Sequence, residues 1–407
     1  MAGLLLMLLA GVGLWPGVDH GAVPSVVAAK PAASASADEA EEPTHGPAWA
    51  LASLATREAD AADRRLILDA AELQRLDEAD CKRMAPAMRQ LEAGKLPEGP
   101  TYEWDPASQE HENWLRRWIH VLKQRGDERS LATADFLDAL IGRDDLTRFG
   151  AAAQRLHQRA SRSSDGFVQA LAAQRSCAPS LGCTQAVPRE RWAQLEPGNL
   201  SAWLAGAPSR QPVSDDWLNG LMQASYDNSY RGELMSLLRS LPPQLPAGPR
   251  RFSRDLGLIG INAAQSASSL RGLNQHCAGG SDGERCRALA EKLWTLREAN
   301  LMNWMQNLTL VRHSPPMAAV WEARAQEAEA AFQWSQDESA GMLVEPLFQA
   351  YRCKESPVFE RWVQTSLTVS ESAAMLAEIK ARGLDVSSLS AKYRQQNGRS
   401  LLQAARK

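Results

Sequence analysis

The stretch "WAQLEPGNLSAWLAGA", Trp192–Ala207, has the pattern of a joint between two helices. Leu195 ends an apolar helical face, and Pro197 cannot continue that helix because it has no backbone N–H. Asn199 is a favoured N-cap residue, and Trp203 supplies a large apolar group early in the next helix. The stretch therefore predicts a helical hairpin as the building unit of the protein.

The rest of the chain has the same helical character. Trp114, Trp118 and Leu122 recur every four residues, which places them on one face of a helix. From Cys286 to Val311 the apolar spacing predicts one long amphipathic helix. No segment shows the sustained alternation of β-branched and polar residues that marks a half-buried strand. The sequence therefore predicts an all-α protein of stacked antiparallel helical hairpins, arranged as an irregular solenoid or a helical array.

Three predicted helix starts are regularly spaced. Ser130, Asp165 and Asn199 lie 35 and 34 residues apart, and about 34 residues is the period of a tetratricopeptide unit. The segment "LEPGNLSAW", Leu195–Trp203, also resembles the joint of that family. The next helix starts, near Ser214 and Asn228, do not continue the step. Helices of average length joined by short turns would give the same spacing by chance, so both interpretations stay open.

The first residues have the composition of an export signal. The apolar run Leu4–Trp15 is shorter than the ~20 residues that span a bilayer. We expect a signal peptide over 1–29, cleaved after small residues, and a disordered linker rich in Ala, Ser, Pro and Glu over 30–47. The mature protein would then have no stable membrane span and would be periplasmic or secreted.

Two helical regions follow the linker. The first covers 48–241 and the second 250–407. Between them, "LPPQLPAGP" (Leu241–Pro249) has four prolines in nine residues, which a helix cannot accommodate. This segment is the strongest candidate for a subdomain boundary.

Six cysteines are consistent with export. Cys177 and Cys183 close one short loop, and Cys277 and Cys286 close another, so we expect two local disulfides in an oxidising compartment. Zinc is the alternative, but neither spacing matches the two-residue spacing typical of structural zinc ligands. Cys81 and Cys353 either pair across the fold or stay free. These residues predict no metal or cofactor site.

Nothing in the sequence identifies a complete catalytic set. His111 begins "HENWL", but Leu115 stands where a zinc-protease helix needs its second His. No nucleophile elbow or phosphate-binding Gly loop is present. The formal net charge of −3 is unfavourable for binding a phosphate backbone, so we expect no nucleic-acid partner. We therefore predict no catalytic residue.

A short stretch resembles an enzyme family. Gly220–Gln223, "GLMQ", is similar to a segment of lytic transglycosylases, which cleave peptidoglycan with one Glu as general acid and base. The preceding Glu here is Glu196, which is followed by Pro and lies too far upstream. Asp215 and Asp216 lie too close to the stretch. The resemblance implies an envelope enzyme, although the acid that its chemistry needs is not at the family's position.

The chain as a whole resembles uncharacterised exported α-helical proteins of high-GC Gram-negative bacteria, as its signal and its Ala, Arg and Leu bias indicate. That resemblance implies a fold and no function. The first functional hypothesis is a non-catalytic exported module whose stacked helices offer a concave surface to a protein partner. The alternative is a cell-envelope enzyme acting on peptidoglycan, which the "GLMQ" match and 13 Trp residues favour.

Overall fold

The structure is a computed structural model. It describes residues 70–92, 106–141, 146–175, 177–181, 183–188, 190–206, 213–264, 270–278, 282–297, 301–312, 319–368 and 371–403. The expected signal peptide 1–29 and linker 30–47 lie outside the described residues.

Helices make up about 78% of the described chain, and no strand occurs within it, which confirms the all-α class. A 3-10 turn, Pro179–Leu181, lies in the first short disulfide loop. In chain order the α-helices are α1 (Ala70–Glu92), α2 (Pro106–Arg125), α3 (Glu128–Ile141), α4 (Leu146–Arg162), α5 (Gly166–Ala173), α6 (Arg191–Leu195), α7 (Leu200–Ala205), α8 (Asp215–Gln223), α9 (Arg231–Arg239), α10 (Pro249–Ala264), α11 (Arg271–Ala278), α12 (Gly283–Leu296), α13 (Leu301–Arg312), α14 (Ala319–Ala350), α15 (Pro357–Thr368), α16 (Glu371–Ala381) and α17 (Val386–Asn397).

The predicted residue is the side-chain cap in two of the three helices that suggested a repeat. Asp165 accepts a hydrogen bond from Phe167 N and Asn199 from Ser201 N, so both predicted N-caps are confirmed. The prediction for Ser130 was wrong: α3 begins at Glu128, and Asp127 Oδ1 accepts from Ser130 N instead. The even spacing disappears with this shift. The joint at Asn199 connects helices of only five and six residues, so tetratricopeptide-like stacking stays a prediction.

The long helix expected from Cys286 to Val311 is two helices. Helix α12 ends at Leu296, and Arg297 has an extended backbone with ψ of 148°. Helix α13 packs against α12, and the ring of Trp294 stacks on that of Trp304 with centroids 5.4 Å apart. The break lets the two apolar faces bury one another, which a single straight helix could not do.

Residues 68–407 form one unit, and its described residues contain two large hydrophobic cores and a small third cluster around Trp192. The first contains the predicted face of α2, whose Trp114, Trp118 and Leu122 are fully buried, together with side chains from α5, α9, α10 and α15. The second combines α7 and α8 with α11 to α14. Leu241 and Leu245 of the Pro-rich segment insert into the first core. Helices from both sides of that segment therefore share both cores.

Three disulfides stabilise this unit, and one of them joins distant parts of the chain. The structure joins Cys177 to Cys183 and Cys277 to Cys286, the two local pairs expected from their spacing. The remaining two cysteines also pair, Cys81 of α1 with Cys353 after α14. Within the described residues, no helix is long and apolar enough to cross a membrane.

Candidate functional site

The joint between α6 and α7 is built around one carboxylate. Glu196 Oε2 accepts hydrogen bonds from Trp192 Nε1 at 2.9 Å and from Asn199 Nδ2 at 2.7 Å. Its Oε1 accepts from the hydroxyl of Tyr230. We call Glu196, these three donors and Gly166 the Glu196 cluster. Both oxygens of the carboxylate therefore accept hydrogen bonds. Two donors belong to the same short segment as Glu196, and the third is the more distant Tyr230.

Gly166 brings the start of α5 against this carboxylate. A Cβ atom at Gly166 would lie only 2.6 Å from Glu196 Cδ, so only glycine leaves room for the side chain. The N-terminus of a helix carries a partial positive charge that favours a nearby anion. Asp165, the N-cap of the same helix, is held by Arg129 through bonds of 2.6 and 2.9 Å. The carboxylates of Asp165 and Glu196 therefore both lie at the positively polarised start of α5.

Asn199 connects the joint to the segment after α8. The side chain is fully buried; its Oδ1 accepts from Ser201 N at 3.2 Å and from Asn228 N at 3.0 Å. Its Nδ2 also donates to Asn228 O at 2.9 Å. The backbone adds a parallel bridge between Asn199 and Tyr226. The capping role was readable from the sequence, whereas the contact with a segment 29 residues away was not.

Tyr230 acts as a donor in this arrangement. Burial raises its pKa, and the hydrogen bond to Glu196 acts in the same direction because it favours the neutral phenol. Trp192 and Asn199 reach Glu196 through N–H groups, which cannot accept a proton from it. A general acid must pass its proton to a substrate oxygen. The contacts of Glu196 instead make it an acceptor that holds three donors.

The residues that resemble the transglycosylase stretch lie on α8, next to this cluster. Gly220 lies under the ring of Trp203, where a Cβ would be 2.6 Å from the ring atom Cε2. Met222 O accepts a hydrogen bond from Lys292 Nζ, and Gln223 is exposed. Asp215 pairs with Arg285 at 3.1 Å. Close packing thus accounts for Gly220. The side chain of His111, the other motif candidate, lies outside the described part of the chain.

A shallow groove of about 560 Å³ runs between the end of α8 and α12. It is lined by Ala224, Ser225, Ala288, Glu291, Lys292, Thr295 and Leu296. At the neighbouring joint, Leu195 and Tyr226 are 37% and 44% exposed, which is high for large apolar side chains. We call the groove together with Leu195 and Tyr226 the joint surface.

One wall of the groove is rigidly held. Arg324 binds both oxygens of Glu291 at 2.6 and 2.7 Å. Its guanidinium also lies over the rings of Trp294 and Trp321, 5.1 and 4.5 Å from their centroids. A planar guanidinium can donate two hydrogen bonds to a carboxylate and also contact two aromatic rings. The side chain of Glu291 is therefore fixed and its charge compensated.

Among the described side chains, no three of His, Cys, Asp or Glu are placed to hold a metal ion together. Comparison of the chain with protein families, with curated proteins and with solved structures finds no match. The functional argument therefore depends on the geometry of the joint and the groove.

Proposed function

We propose that this chain is a non-catalytic exported helical protein that binds a protein partner through the joint surface. The observation that carries the proposal is the state of Glu196, whose two oxygens already accept three hydrogen bonds. A carboxylate held in this way stabilises the joint, because its hydrogen bonds connect α6, α7 and the segment before α9. The three disulfides support a location outside the reducing cytoplasm.

The joint surface supports the choice of a protein partner. Exposed apolar side chains beside a groove are a common feature of interaction sites, and aromatic residues are enriched in them. Tyr226 presents a large, partly exposed aromatic side chain, and Glu196 fixes the turn beneath it through Asn199. A surface fixed before binding loses little conformational entropy on association.

Site-specific photo-crosslinking in the native cell envelope tests the proposal. A crosslinker at position 226 should capture a defined protein, and Tyr226→Ala in the purified chain should weaken binding of that protein at least tenfold. Leu384 is the matched control because it is 42% exposed and lies in the turn before α17. Equal capture at position 384, or an unchanged affinity of the Tyr226→Ala variant, would rule out the joint surface.

The second candidate is an enzyme that cleaves peptidoglycan, favoured by the Gly220–Gln223 stretch and its position beside the Glu196 joint. Purified sacculi incubated with the wild-type chain should release no muropeptides if the first proposal is right. Release that is lost in Glu196→Gln and kept in Glu233→Gln, a variant of an exposed Glu on α9, would establish the enzyme instead. Thermal unfolding of both variants shows whether a loss of release reflects a loss of folding.

A further inference from the structure

A buried histidine attaches a largely exposed segment of the chain to α4. The Nε2 of His157 lies 2.8 Å from Arg175 O, and the backbone N–H of Val187 donates to its Nδ1 at 3.1 Å. A carbonyl oxygen can only accept a hydrogen bond, so Nε2 carries the proton. Nδ1 must then be unprotonated, because it accepts from a backbone N–H. The two contacts coexist only while the imidazole of His157 is neutral.

We call residues 184–188 the strap. The strap follows Cys183, which is buried and disulfide-bonded, and four of its five residues are exposed. A second side chain of α4 also holds the strap, since Gln154 Oε1 accepts from Thr184 N at 2.6 Å. Gln154 and His157 are three residues apart and therefore share one face of α4. Two hydrogen-bond acceptors on this face thus hold two backbone N–H groups of the strap.

The strap leads directly into α6 and the Glu196 cluster. Arg191, the first residue of α6, donates its N–H to Pro188 O at 3.1 Å. Helix α6 has only five residues, so its position depends on neighbouring segments more than on its own hydrogen bonds. Trp192, its second residue, donates to Glu196 Oε2 at 2.9 Å. The position of the strap therefore affects a residue that holds the joint.

The charged groups on α3 and α4 do not stabilise a protonated imidazole. Asp135 and Asp138 of α3 are the nearest carboxylates along the helix that packs on α4. Their ion-pair partners are Arg148, Arg155 and Arg159 of α4. Arg155 and Arg159 lie two residues before and after His157, and such residues point to the opposite side of a helix. These carboxylates are therefore compensated by groups on another face of α4.

The remaining elements around His157 add no negative charge next to it. Helix α5, the 3-10 turn Pro179–Leu181 and the strap contain no charged residue. Glu190 lies beyond the strap and is exposed, and the guanidinium of Arg175 lies over the ring of Phe136, 4.0 Å from its centroid. Burial lowers the pKa of His157, while the hydrogen bond to Arg175 O acts in the opposite direction. The surroundings therefore favour the neutral imidazole.

We propose that His157 is a pH-sensitive switch for the joint surface. In its neutral form His157 holds the strap on α4 and so keeps α6 and the Glu196 cluster in place. A protonated imidazole carries an N–H group on each nitrogen, so Nδ1 can no longer accept from Val187 N and two donors face each other. Acidification then releases the strap and weakens partner binding. The effect on binding rests on the proposed function, whereas the release of the strap does not.

Hydrogen exchange of the full-length chain at pH 7.5 and pH 5, corrected for the intrinsic pH dependence of exchange, tests the release. Peptides covering 184–196 should lose protection by up to about thirtyfold at pH 5, a limit set by the ordinary pKa near 6.5 of a released imidazole. Peptides from α10, a helix of the first core without histidine, should not change, because the release is local. In His157→Gln the pH dependence should disappear, since glutamine does not titrate.

Two further variants serve as controls. His120→Gln should keep the pH dependence of the wild type, because His120 lies on α2 and is hydrogen-bonded to Gln124. Gln154→Ala removes the other attachment of the strap without removing a titratable group. It should lower the protection of the strap at both pH values and keep the pH dependence. This variant tests the proposal even if His157→Gln does not fold.

Equal protection of 184–196 at the two pH values in the wild type would overturn the release, as would an unchanged pH dependence in His157→Gln. Photo-crosslinking from position 226, repeated in cell envelopes at both pH values, tests the effect on binding. Capture should be weaker at pH 5 in the wild type and independent of pH in His157→Gln. No fall in the wild type, or an equal fall in both chains, would overturn the control of binding. No capture at either pH, together with pH-dependent exchange, would refute the proposed function and confirm the release.

Discussion

Replacing Gly166 by Ala should destabilise the protein although alanine favours helices. Gly166 is the first residue of α5, and a methyl group there would lie 2.6 Å from Glu196 Cδ and closer still to Oε1 and to the Tyr230 hydroxyl. The carboxylate must move to relieve this contact, and the bond from Tyr230 is lost with it. The replacement therefore destabilises the joint around Glu196, although residue 166 itself belongs to α5.

The size of the effect follows from opposing contributions. Overpacking a filled site costs about 1–3 kcal/mol, and a hydrogen bond to a charged acceptor contributes about 1.5–3 kcal/mol. The two costs overlap, because the movement that relieves the clash is the one that breaks the bond. The higher helix propensity of alanine offsets at most about 1 kcal/mol of this destabilisation. We expect a net loss of about 1–3 kcal/mol, or about 2–4 °C in the unfolding midpoint.

Denaturant unfolding followed by circular dichroism measures this loss, with Gly260→Ala as the matched control. Gly260 lies in the exposed part of α10, and a Cβ there would have no atom within 4 Å. Its replacement should be neutral or stabilising. In a Tyr230→Phe background, Gly166→Ala should cost about 1 kcal/mol less, since the hydroxyl is already absent. If Gly166→Ala is as stable as Gly260→Ala, the packing argument for the joint is wrong.

Three further predictions test other parts of the structure. Peptide mapping without reductant should recover Cys177–Cys183, Cys277–Cys286 and Cys81–Cys353 as linked peptides; free thiols at 81 and 353 in exported protein would contradict the third pair. Glu329→Gln should cost about 1–3 kcal/mol, because a neutral amide replaces the buried carboxylate that accepts from Ser390, Ser400 and Arg394, while Glu378→Gln in a surface pair should cost under about 1 kcal/mol. Chemical denaturation compares the two, and equal losses would contradict the role of Glu329. Protonation of His157 should also lower the free energy of unfolding as the pH falls. The Nε2 of His157 lies 2.8 Å from Arg175 O, and its Nδ1 accepts a hydrogen bond from Val187 N at 3.1 Å. Burial lowers its pKa below the ordinary value near 6.5, so its contribution is complete above that pH and declines below it. Unfolding at pH 7.5 and pH 5 should show a smaller difference in His157→Gln than in the wild type, and an equal difference would contradict the prediction.

The sequence predicted those parts of the fold that depend on neighbouring residues. The N-caps Asp165 and Asn199 were readable because a cap needs only a side-chain acceptor two or three residues before an N–H group. The apolar face of α2 was readable because helical spacing alone brings Trp114, Trp118 and Leu122 together. The start of α3 was predicted wrongly because Asp127, three residues before Ser130, is an equally good N-cap. Only the hydrogen bonds of the folded helix show which of the two residues is the cap.

The candidate site was readable only in part. The sequence singled out Glu196, Asn199 and Gly220, but as members of a repeat joint or of a catalytic stretch. Their contacts with Tyr230, Asn228 and Trp203 involve chain segments 17 to 34 residues away. No local pattern encodes such a contact, since the two sides meet only when the helices pack.

The sequence by itself determined the all-α class, the N-caps Asp165 and Asn199 and the two short disulfide loops, because each depends on residues within a few turns of one another. Only the tertiary structure decided the pairing of Cys81 with Cys353, 272 residues apart, and the contact of Arg394 with Glu329, 65 residues apart. It also decided that Glu196 accepts three hydrogen bonds. Such contacts exist only after distant helices have buried their shared apolar faces, and that burial, summed over the whole chain, selects which polar groups meet.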